Sequence, residues 1–467
     1  MNFILNCKFR FCLLFILFLS FHSIANDDYN KKSNNLITEA QLVEDPTLLL
    51  RLFIPALIRN DVEGVGLLLS IYEKQKKTEN DELLIWGNAI ISRKNKDLDK
   101  SISLYRSLVS RNPKLVFARL QLAISLFENK ENEAALEQFD KLKSESLNDN
   151  IIDIINKYSE LINHQNDWSF NGGIVYLNES NINNSPKLGV NAANWKSTSK
   201  PESAEGFSYV GVAEKKLSIY KNYFSLLNIR GKGKYYWDNS KYNEISSRVK
   251  VGLGYKDLTN EVLFLHFVEY SWNPNKTQQN GSTFHRYSNA IGTEVEINNW
   301  LNKQWKNSLS VELSRQSYHK TKLLDGNVYS VSDTLLYISS SNQYWFSGID
   351  FYHKEAKSKA NAFDRFSVRA GWGQEWLQGI STRFQVGYAK RIYQGAIAEE
   401  NNYWVPDFYK KPQKNDEYSV YITLWNRTFY FYGITPKITW AYQKIDSSNL
   451  FYSYDKNNFY LEFSKYF

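Results

Sequence analysis

Cysteine is almost absent from this chain. Both cysteines, Cys7 and Cys12, lie in the first 25 of the 467 residues. This start has the pattern of a secretory signal peptide, because Lys8 and Arg10 precede an apolar run that ends in small residues before a cut site. Loss of residues 1–25 would leave no thiol, which excludes disulfides and cysteine metal sites.

Long apolar runs and the motifs of common enzymes are also missing. No run of about 18 apolar residues follows the signal, so we expect no transmembrane helix. Neither H-E-x-x-H nor G-x-S-x-G occurs, and no two histidines after the signal are spaced as metal ligands. We therefore expect no metal, no cofactor and no catalysis. The alternative is a hydrolase built around His285 or His319 at the outer rim.

Aromatic residues, in contrast, are abundant. The chain has 32 Tyr, 28 Phe and 13 Trp, and most of them follow Trp168. Tyr and Trp prefer the membrane–water interface, where a ring and a polar tip are both accommodated. The formal charge of +8 falls to +6 without Lys8 and Arg10. In an exported protein this charge favours phosphate-bearing lipid or an acidic client, and we expect no nucleic acid.

The first third of the chain has helical apolar spacing, from Asp45 to about His164. Two segments repeat at a period near 34 residues, one from Trp86 to Pro113 and one from Leu122 to Leu142. Their small, aromatic and apolar positions are typical of tetratricopeptide repeats, whose two helices pack closely. Earlier helices at 46–60 and 62–75 and a closing helix at 150–165 would complete a short solenoid. Such solenoids bind extended peptides or other proteins along a concave face, which is the interpretation we favour; the alternative is that these helices pack only on the mouth of the next domain.

After Trp168 the apolar period changes to two, which indicates strands. Ile245–Tyr255 and Phe366–Trp372 place aliphatic and aromatic residues on one face and Arg, Lys, Ser or Gly on the other. The run Glu261–Tyr270, apolar on both faces, fits this alternation least. The predicted strands are 168–180, 206–219, 223–237, 241–255, 259–273, 283–297, 304–318, 328–339, 342–354, 363–376, 379–394, 415–425, 429–443 and 456–467.

The links between these strands predict how the barrel is oriented. Links after even-numbered strands are short, including Asn426–Thr428, and links after odd-numbered strands are mostly long. In outer-membrane barrels the short turns are periplasmic, so both termini should be periplasmic. The last strand carries Phe459, Leu461, Phe463 and the terminal Phe467. It should pair with the first strand, because an open sheet edge in hydrocarbon would leave backbone N–H and C=O groups without hydrogen-bond partners.

The sequence therefore predicts a multidomain α + β protein with an N-terminal solenoid and an antiparallel transmembrane β-barrel of about 14 strands. The predicted divisions are a signal peptide at 1–25, a disordered segment at 26–44, a tetratricopeptide-like periplasmic domain at 45–166 and the outer-membrane barrel at 167–467.

Two blocks at the junction resemble a known family. The run F-A-R-L-Q-L-A-I-S-L-F at Phe117–Phe127 leads into Ala134–Phe139, and N-E-S-N-I-N-N-S-P follows Trp168 at Asn178–Pro186. This organisation is similar to the surface lipoprotein assembly modulator (Slam) family of Gram-negative bacteria. The resemblance implies delivery of particular lipoproteins, or related soluble proteins, to the cell surface. Clients in the family are often carriers that bind transferrin, haem or similar host molecules.

The resemblance also implies roles for the two parts: the helices would recruit the client and the barrel would provide the passage. Candidate client-binding or passage-lining residues are Arg119, Asn178, Ser180, Asn181, Asn183, Asn184, Arg248, Lys250, Arg365, Arg369 and Arg383. The lumen charges among them would tune passage or merely pair with Glu294, Glu296 and one another. The amides after Asn178 would meet the client or, equally, end the first strand and begin a loop.

The expected partners are a surface lipoprotein client, outer-membrane lipid, periplasmic chaperones and the barrel-assembly machinery. Lys465 stands where the signal for that machinery usually has an apolar or aromatic residue. Three alternatives stay open: a polysaccharide exporter that joins such repeats to a barrel, a receptor or adhesin whose loops bind host ligands, and the rim hydrolase.

Overall fold

The computed structural model describes residues 37–75, 81–164, 168–187, 189–192, 195–274, 283–400, 406–431 and 434–466. The predicted signal peptide, most of the predicted disordered segment and Phe467 lie outside these residues. The described chain forms two compact units, one that ends at Leu52 and one that begins at Phe53.

Eight helices precede Trp168 in the described residues. They are α1 (Glu39–Glu44), α2 (Pro46–Arg59), α3 (Val62–Gln75), α4 (Glu82–Lys94), α5 (Leu98–Arg111), α6 (Val116–Glu128), α7 (Asn132–Lys143) and α8 (Asp149–Asn163). The prediction of disorder up to residue 44 is wrong for α1. The Thr38 hydroxyl accepts from the Gln41 N–H, and the Gln41 side chain accepts from the Thr38 N–H, so a capping box starts this helix. No described helix has the length and apolar character needed to cross a bilayer.

The predicted repeat is present in α4 to α7. Each of its two helix pairs is joined through a lysine with a left-handed backbone, Lys96 (φ 60°) and Lys130 (φ 62°). The Ser101 hydroxyl donates to the Ala89 carbonyl at 2.9 Å, which holds α4 against α5. The positions singled out in the sequence are buried: Ser101, Tyr105, Leu108, Ala135, Phe139 and Leu142. Small and apolar side chains therefore let the antiparallel helices approach closely.

Fourteen antiparallel strands form a closed barrel in the described residues. They are β1 (Trp168–Glu179), β2 (Ala204–Tyr220), β3 (Tyr223–Tyr236), β4 (Glu244–Lys256), β5 (Asn260–Pro274), β6 (Phe284–Trp300), β7 (Trp305–Tyr318), β8 (Gly326–Ser340), β9 (Gln343–Lys354), β10 (Phe363–Glu375), β11 (Ile380–Tyr393), β12 (Lys414–Asn426), β13 (Lys437–Ser447) and β14 (Tyr454–Tyr466). A two-residue hairpin, Asn191–Ala192 with Trp195–Lys196, lies in the link after β1. The last strand pairs with the first from Asn171↔Tyr466 to Glu179↔Asn458, as predicted.

Thirteen predicted strands are confirmed with ends displaced by at most three residues, and one is wrong in its bounds. The strand predicted at 429–443 is found at Lys437–Ser447. The residues after Asn426 leave the sheet, and Phe431 forms an isolated bridge with Ile434. The tight link predicted at Asn426–Thr428 is therefore a longer excursion.

The strands present opposite chemistry on their two faces. On β4, the side chains of Val249, Val251 and Leu253 are exposed on the outer surface, while Arg248 and Lys250 alternate with them on the lumen side. Phe459, Leu461 and Phe463 occupy the outer face of β14 in the same way. Tryptophan pairs with tyrosine or tryptophan near the short turns, as in Trp305–Tyr337 (4.6 Å) and Trp345–Trp372 (5.9 Å). An apolar outer band with aromatic residues at its border is the surface that lipid requires.

The links confirm the predicted asymmetry of the two ends. The links after β2, β4, β6, β8 and β10 have two to four residues, whereas those after odd-numbered strands have six to 24. We call the end with the short links the short-turn mouth. Among these links, the turn after β10 contains Gln378 (φ 63°) and Gly379 (φ 83°), a left-handed pair that reverses the chain tightly.

Candidate functional site

Helix α7 lies across the short-turn mouth. Near its start, Glu133 lines a cavity of about 580 Å³ together with Lys216 of β2. Near its end, Lys141 lines another cavity together with Tyr344 of β9. Strands β2 and β9 stand seven places apart in the ring of fourteen, so they lie on opposite sides of the barrel. The helix thus spans the opening of the lumen at this end of the barrel.

One carboxylate joins the helices to the barrel. Lys141 Nζ lies 2.7 Å from Glu375 Oε1, and Arg119 Nη2 lies 3.1 Å from Glu375 Oε2. Arg427, from the excursion after β12, approaches with its Nε at 3.8 Å. The Arg119 side chain is 1% exposed and that of Glu375 10%, so little water competes for these charges. We call these four residues the Glu375 cluster.

The cations of the Glu375 cluster are held by further partners. Arg119 also donates to the Pro113 carbonyl at 2.8 Å and to Gln138 Oε1 at 2.7 Å. Burial alone would lower the pKa of Lys141, but the carboxylates of Glu137 and Glu375 outweigh it and raise that pKa. The ammonium therefore stays charged at neutral pH. Arg119, predicted as a client-binding residue, is inaccessible in this conformation because it is buried in the junction between the two parts.

Tyr430 forms a second contact between the barrel and the helices. Its hydroxyl donates to the Glu131 carboxylate at 2.7 and 2.8 Å, and the Arg106 guanidinium lies 3.9 Å from the centre of its ring. Burial, with the neighbouring Glu131 carboxylate, raises the pKa of Tyr430 well above its usual range. The phenol therefore stays protonated and remains a donor. Tyr430 belongs to the excursion that the sequence reasoning treated as a strand.

A third contact uses the turn after β8. The Ser341 N–H donates to Glu145 Oε1 at 2.7 Å, and the Ser341 hydroxyl donates to the Pro113 carbonyl at 3.2 Å. The turn after β8, the end of β10 and the excursion after β12 therefore all contact the helices or the links between them. The barrel is bound to the helices at several residues on this side of the mouth.

The other side of the mouth contains a cavity of about 440 Å³ beneath α7. Acidic side chains of the helix face lysines of the barrel rim across it: Glu133, Glu137 and Asp140 against Lys216, Lys256 and Lys306. Burial raises the pKa of Asp140, although the nearby lysines oppose this shift. Opposite charges attract across the cavity without filling it, so the lumen has wet space directly under the helix.

The predicted lumen cations of β4 are paired. Arg248 donates to Glu269 at 2.5 Å and to Glu312 at 2.9 Å. Lys250 Nζ lies 2.7 Å from Glu294 and 3.1 Å from Glu296. Each cation therefore meets two or more carboxylates from β5, β6 and β7, and its charge is neutralised locally.

The predicted cations of β10 and β11 are also held by neighbours. Arg365 donates to Glu417 at 2.9 Å, and Arg369 donates to Asp350. Arg383 lies over the Phe346 ring, with 4.8 Å between the guanidinium carbon and the ring centre. Arg365 and Arg369 are therefore paired with carboxylates, whereas Arg383 contacts an aromatic ring; a role of these residues in passage stays a prediction.

An apolar cluster interrupts the polar lumen near the short turns. Phe224 and Leu226 of β3 pack with Leu263 and Leu265 of β5, and all four are buried. They meet across β4 at Gly254, where an added Cβ would lie 2.3 Å from the Phe224 ring. This contact explains why β5 is apolar on both faces: one face meets lipid and the other meets this cluster.

Two inward cations of β3 remain unpaired, and the sequence reasoning missed them. Arg230 and Lys232 face a lumen cavity of about 860 Å³, and neither makes an ion pair or hydrogen bond within the described residues. The alternation Asn228, Arg230, Lys232 and Lys234 is visible in the sequence, but nothing there shows which cations lack a partner. We call Arg230 and Lys232 the β3 ladder.

The predicted amides after β1 lie at the long-loop end, away from the helices. Asn181 is buried, donates to the Ser185 carbonyl at 2.8 Å and accepts from the Ser185 N–H at 2.9 Å. Asn183 binds backbone groups of Lys200 and Glu202, Asn184 accepts from Lys456, and Ser180 donates to the Asn457 carbonyl. Asn178 is exposed at the end of β1. These contacts brace a loop against β14, and contact with a client stays a prediction.

The two rim histidines both lie at the long-loop end of the barrel, among residues that the structure describes. His285 lies near the start of β6 and His319 in the link after β7, and neither side chain has a hydrogen-bond or ion-pair partner among the described residues. Within those residues, no group of three or more His, Cys, Asp or Glu side chains could hold a metal ion.

Comparison with known proteins gives consistent matches. The family model described as surface lipoprotein assembly modifier matches residues 168–467, and the model for the N-terminal TPR repeats of the same family matches residues 36–139. A surface lipoprotein assembly modifier of Pasteurella multocida is 44% identical over 92% of this chain and 85% of its own. Surface lipoprotein assembly modifier 1 of Haemophilus influenzae is 43% identical over 94% and 88%. A hemophilin secretion modulator of Acinetobacter baumannii is 23% identical over 80% and 76%.

Proposed function

We propose, from the premise that this chain belongs to the surface lipoprotein assembly modifier family, that it delivers lipoproteins or related soluble proteins from the periplasm to the cell surface. The helical part would recruit the client and the outer-membrane barrel would provide its passage. Residues 1–25 would be removed as a signal peptide, leaving a helical domain at 45–166 and the barrel at 167–467.

The asymmetry of the links supports a periplasmic position for the helices. Outer-membrane barrels keep short turns in the periplasm and long loops outside. Helices α5, α6 and α7, with the links between them, contact the turn after β8, the end of β10 and the excursion after β12, all at the short-turn mouth. A client held by these helices would therefore stand at the periplasmic entrance of the lumen.

The Glu375 cluster is the single observation that carries the proposal. The buried Glu375 carboxylate contacts Arg119 of α6, Lys141 of α7 and Arg427 of the barrel. These contacts connect the part that would recruit the client directly to the part that would let it pass. They also hold α7 over the mouth, so transfer requires the helix to move. A client can drive that motion only if it binds the open arrangement more tightly than the closed one.

The proposed partners follow from the family and from the barrel. The client would be a surface lipoprotein, and the relative named hemophilin secretion modulator supports a haem-binding client as one example. Periplasmic chaperones and the barrel-assembly machinery would serve the insertion of the barrel itself. We assign no catalytic step and no cofactor to the chain, so client binding and folding at the surface would drive transfer.

The proposal is tested by deleting the gene and probing intact cells with protease for a lipoprotein encoded beside it. We expect the lipoprotein to become protected on deletion and to be cleaved again when the wild-type chain is restored. A cell-impermeant label on the lipoprotein gives a second readout. Unchanged cleavage in the deletion strain would overturn the proposed function.

A further inference from the structure

We propose that the β3 ladder binds an extended, acidic peptide segment inside the lumen, and we infer that this segment belongs to the client in transit. The inference rests on the proposed function for the identity of the client, but not for the existence of the site. Its basis is the charge balance around one cavity.

The cavity of about 860 Å³ is lined by strands β1 to β7 and by β14. Its neutral lining mixes hydroxyl and amide groups with the side chains of Val175, Val210 and Val212; the polar groups include Ser208, Ser246, Ser271, Asn171 and Asn228. Hydroxyls and amides both donate and accept, so they can hydrogen-bond a peptide backbone in either direction. The polar and apolar groups together can accept a polypeptide, which carries both kinds of surface.

The carboxylates around this cavity are already matched to other cations. Glu214 lies 3.5 Å from Lys216, Glu244 lies 3.6 Å from Lys234, Glu269 lies 2.5 Å from Arg248, and Glu462 lies 3.8 Å from Lys437. Arg230 and Lys232 are left over. The lining contains four carboxylates and three cations, and Arg230 and Lys232 are the two of these cations that make no ion pair with a described carboxylate.

Folding does not account for these two charges. Arg230 stands directly opposite Arg248 in the β3–β4 ladder, and like charges in that position repel. Lys232 stands opposite Ser246, which offers no countercharge. Cations that oppose sheet pairing and lack partners are ready for an anion supplied from outside the chain.

The spacing of the ladder points to a peptide. Arg230 and Lys232 are alternate residues of one strand, so their origins lie about 7 Å apart. An extended peptide places its own alternate side chains at the same interval. A peptide with aspartate or glutamate at every second position could pair with both cations at once. A single small anion could pair with only one of them at this separation.

The test uses the lack of any cysteine after Cys12. A Ser246→Cys variant of the chain without residues 1–25, purified in detergent, has a single thiol, which lies directly opposite Lys232. Modification there by a negatively and a positively charged thiol reagent is followed by mass spectrometry. We expect the negative reagent to react preferentially, and the preference to fall at least fivefold with Arg230→Gln and Lys232→Gln together. Lys320→Gln with Lys322→Gln removes the same charge from an exposed link and should leave the preference unchanged.

Peptide binding is then measured as protection of the same thiol from a neutral reagent. A peptide with aspartate at alternate positions should slow modification at least threefold when the ladder is intact, while its lysine counterpart should not. Equal protection by inorganic phosphate at matched charge would mean a small-anion site and would overturn the peptide assignment. Equal reactivity with and without the ladder cations, or the lack of protection, would overturn it as well.

Cells separate this inference from the proposed function. If the doubly substituted ladder loses peptide protection while the lipoprotein still reaches the surface, the client role of the ladder is wrong and the proposed function stands. If the purified chain shows the ladder effect but deletion of the gene leaves surface lipoproteins unchanged, the site stands and the proposed function falls.

Discussion

The charges at the short-turn mouth and the charges on β3 are used in opposite ways. Glu375 meets three cations and is almost excluded from water. On the opposite side of the barrel, Arg230 and Lys232 face a cavity and have no ion-pair or hydrogen-bond partner among the described residues. Charges at the barrel interior therefore serve two purposes: some hold the helices against the barrel, and others are available to a ligand that enters the lumen.

The largest effect is expected for Glu375→Gln, which leaves Arg119 and Lys141 without their shared carboxylate. Breaking a buried ion pair from one side costs about 3–5 kcal/mol, since the remaining charge has lost its partner. We expect the helices to unfold or release at lower temperature while the barrel stays folded. Circular dichroism at helix and strand wavelengths, recorded during heating, separates the two.

A matched control for that substitution is Glu202→Gln at the other end of the barrel. Glu202 lies 2.6 Å from Lys241, but its side chain is 36% exposed, so the pair contributes at most about 1 kcal/mol. Equal destabilisation by the two substitutions would contradict the prediction that the buried ion pairs of Glu375 contribute more to stability than an exposed pair.

The next effect is expected for Arg248→Gln, a lumen cation that is paired but does not touch the helices. Its removal leaves Glu269 and Glu312 facing one another without a countercharge, which costs about 2–3 kcal/mol. The barrel should therefore unfold at lower temperature in detergent, as read from its mobility in gels of unboiled samples. If the helical signal were lost before the barrel unfolded, Arg248 would stabilise the helices, contrary to this prediction.

A smaller effect is expected for Tyr430→Phe, which removes the donor to Glu131 but keeps the ring under Arg106. One hydrogen bond to a charged acceptor contributes about 1.5 kcal/mol. Because the pKa of Tyr430 is raised from 10.0, its contribution is complete below pH 10 and is lost as the pH rises through the higher value. The wild-type helices should therefore loosen more than those of the variant in alkali, measured by proteolysis. Tyr409→Phe, whose hydroxyl has no partner among the described residues, is the control.

The smallest effect on stability is expected for Arg230→Gln with Lys232→Gln. Neither side chain has a partner to lose, and one of them faces Arg248, so the free energy of unfolding should change by about 0.5 kcal/mol or less, toward greater stability. Thermal unfolding in detergent measures it. A clear loss of stability would show that Arg230 and Lys232 stabilise the folded barrel, and it would contradict their description as unpaired charges.

The sequence predicted most of this fold because periodicity is local. The alternation in Ile245–Tyr255 and the helical spacing in Leu122–Leu142 can each be recognised within about 10 to 20 consecutive residues. The strand at Lys437–Ser447 was misplaced because Phe429, Tyr430 and Phe431 resemble an aromatic strand until the helix that receives Tyr430 is known. Capping of α1 by Thr38 was visible in principle but was outweighed by the polar composition around it.

The candidate site was less predictable, because pairing of charges is not local. Arg119 and Glu375 are 256 residues apart, and no pattern in either segment indicates the other. Alternation alone places Arg248 on the polar face of β4. Arg248 has ion-pair partners and Arg230 has none because of which strands are neighbours in the closed barrel and the register in which they pair. The local sequence shows neither.

Hydrogen–deuterium exchange of α7 in the wild-type chain and in Glu375→Gln tests most directly whether one carboxylate holds the helices over the barrel. We expect amides of Asn132–Lys143 to exchange at least tenfold faster in the variant, while those of β10 and β11 keep their wild-type rates. Equal exchange of α7 in both proteins would contradict it.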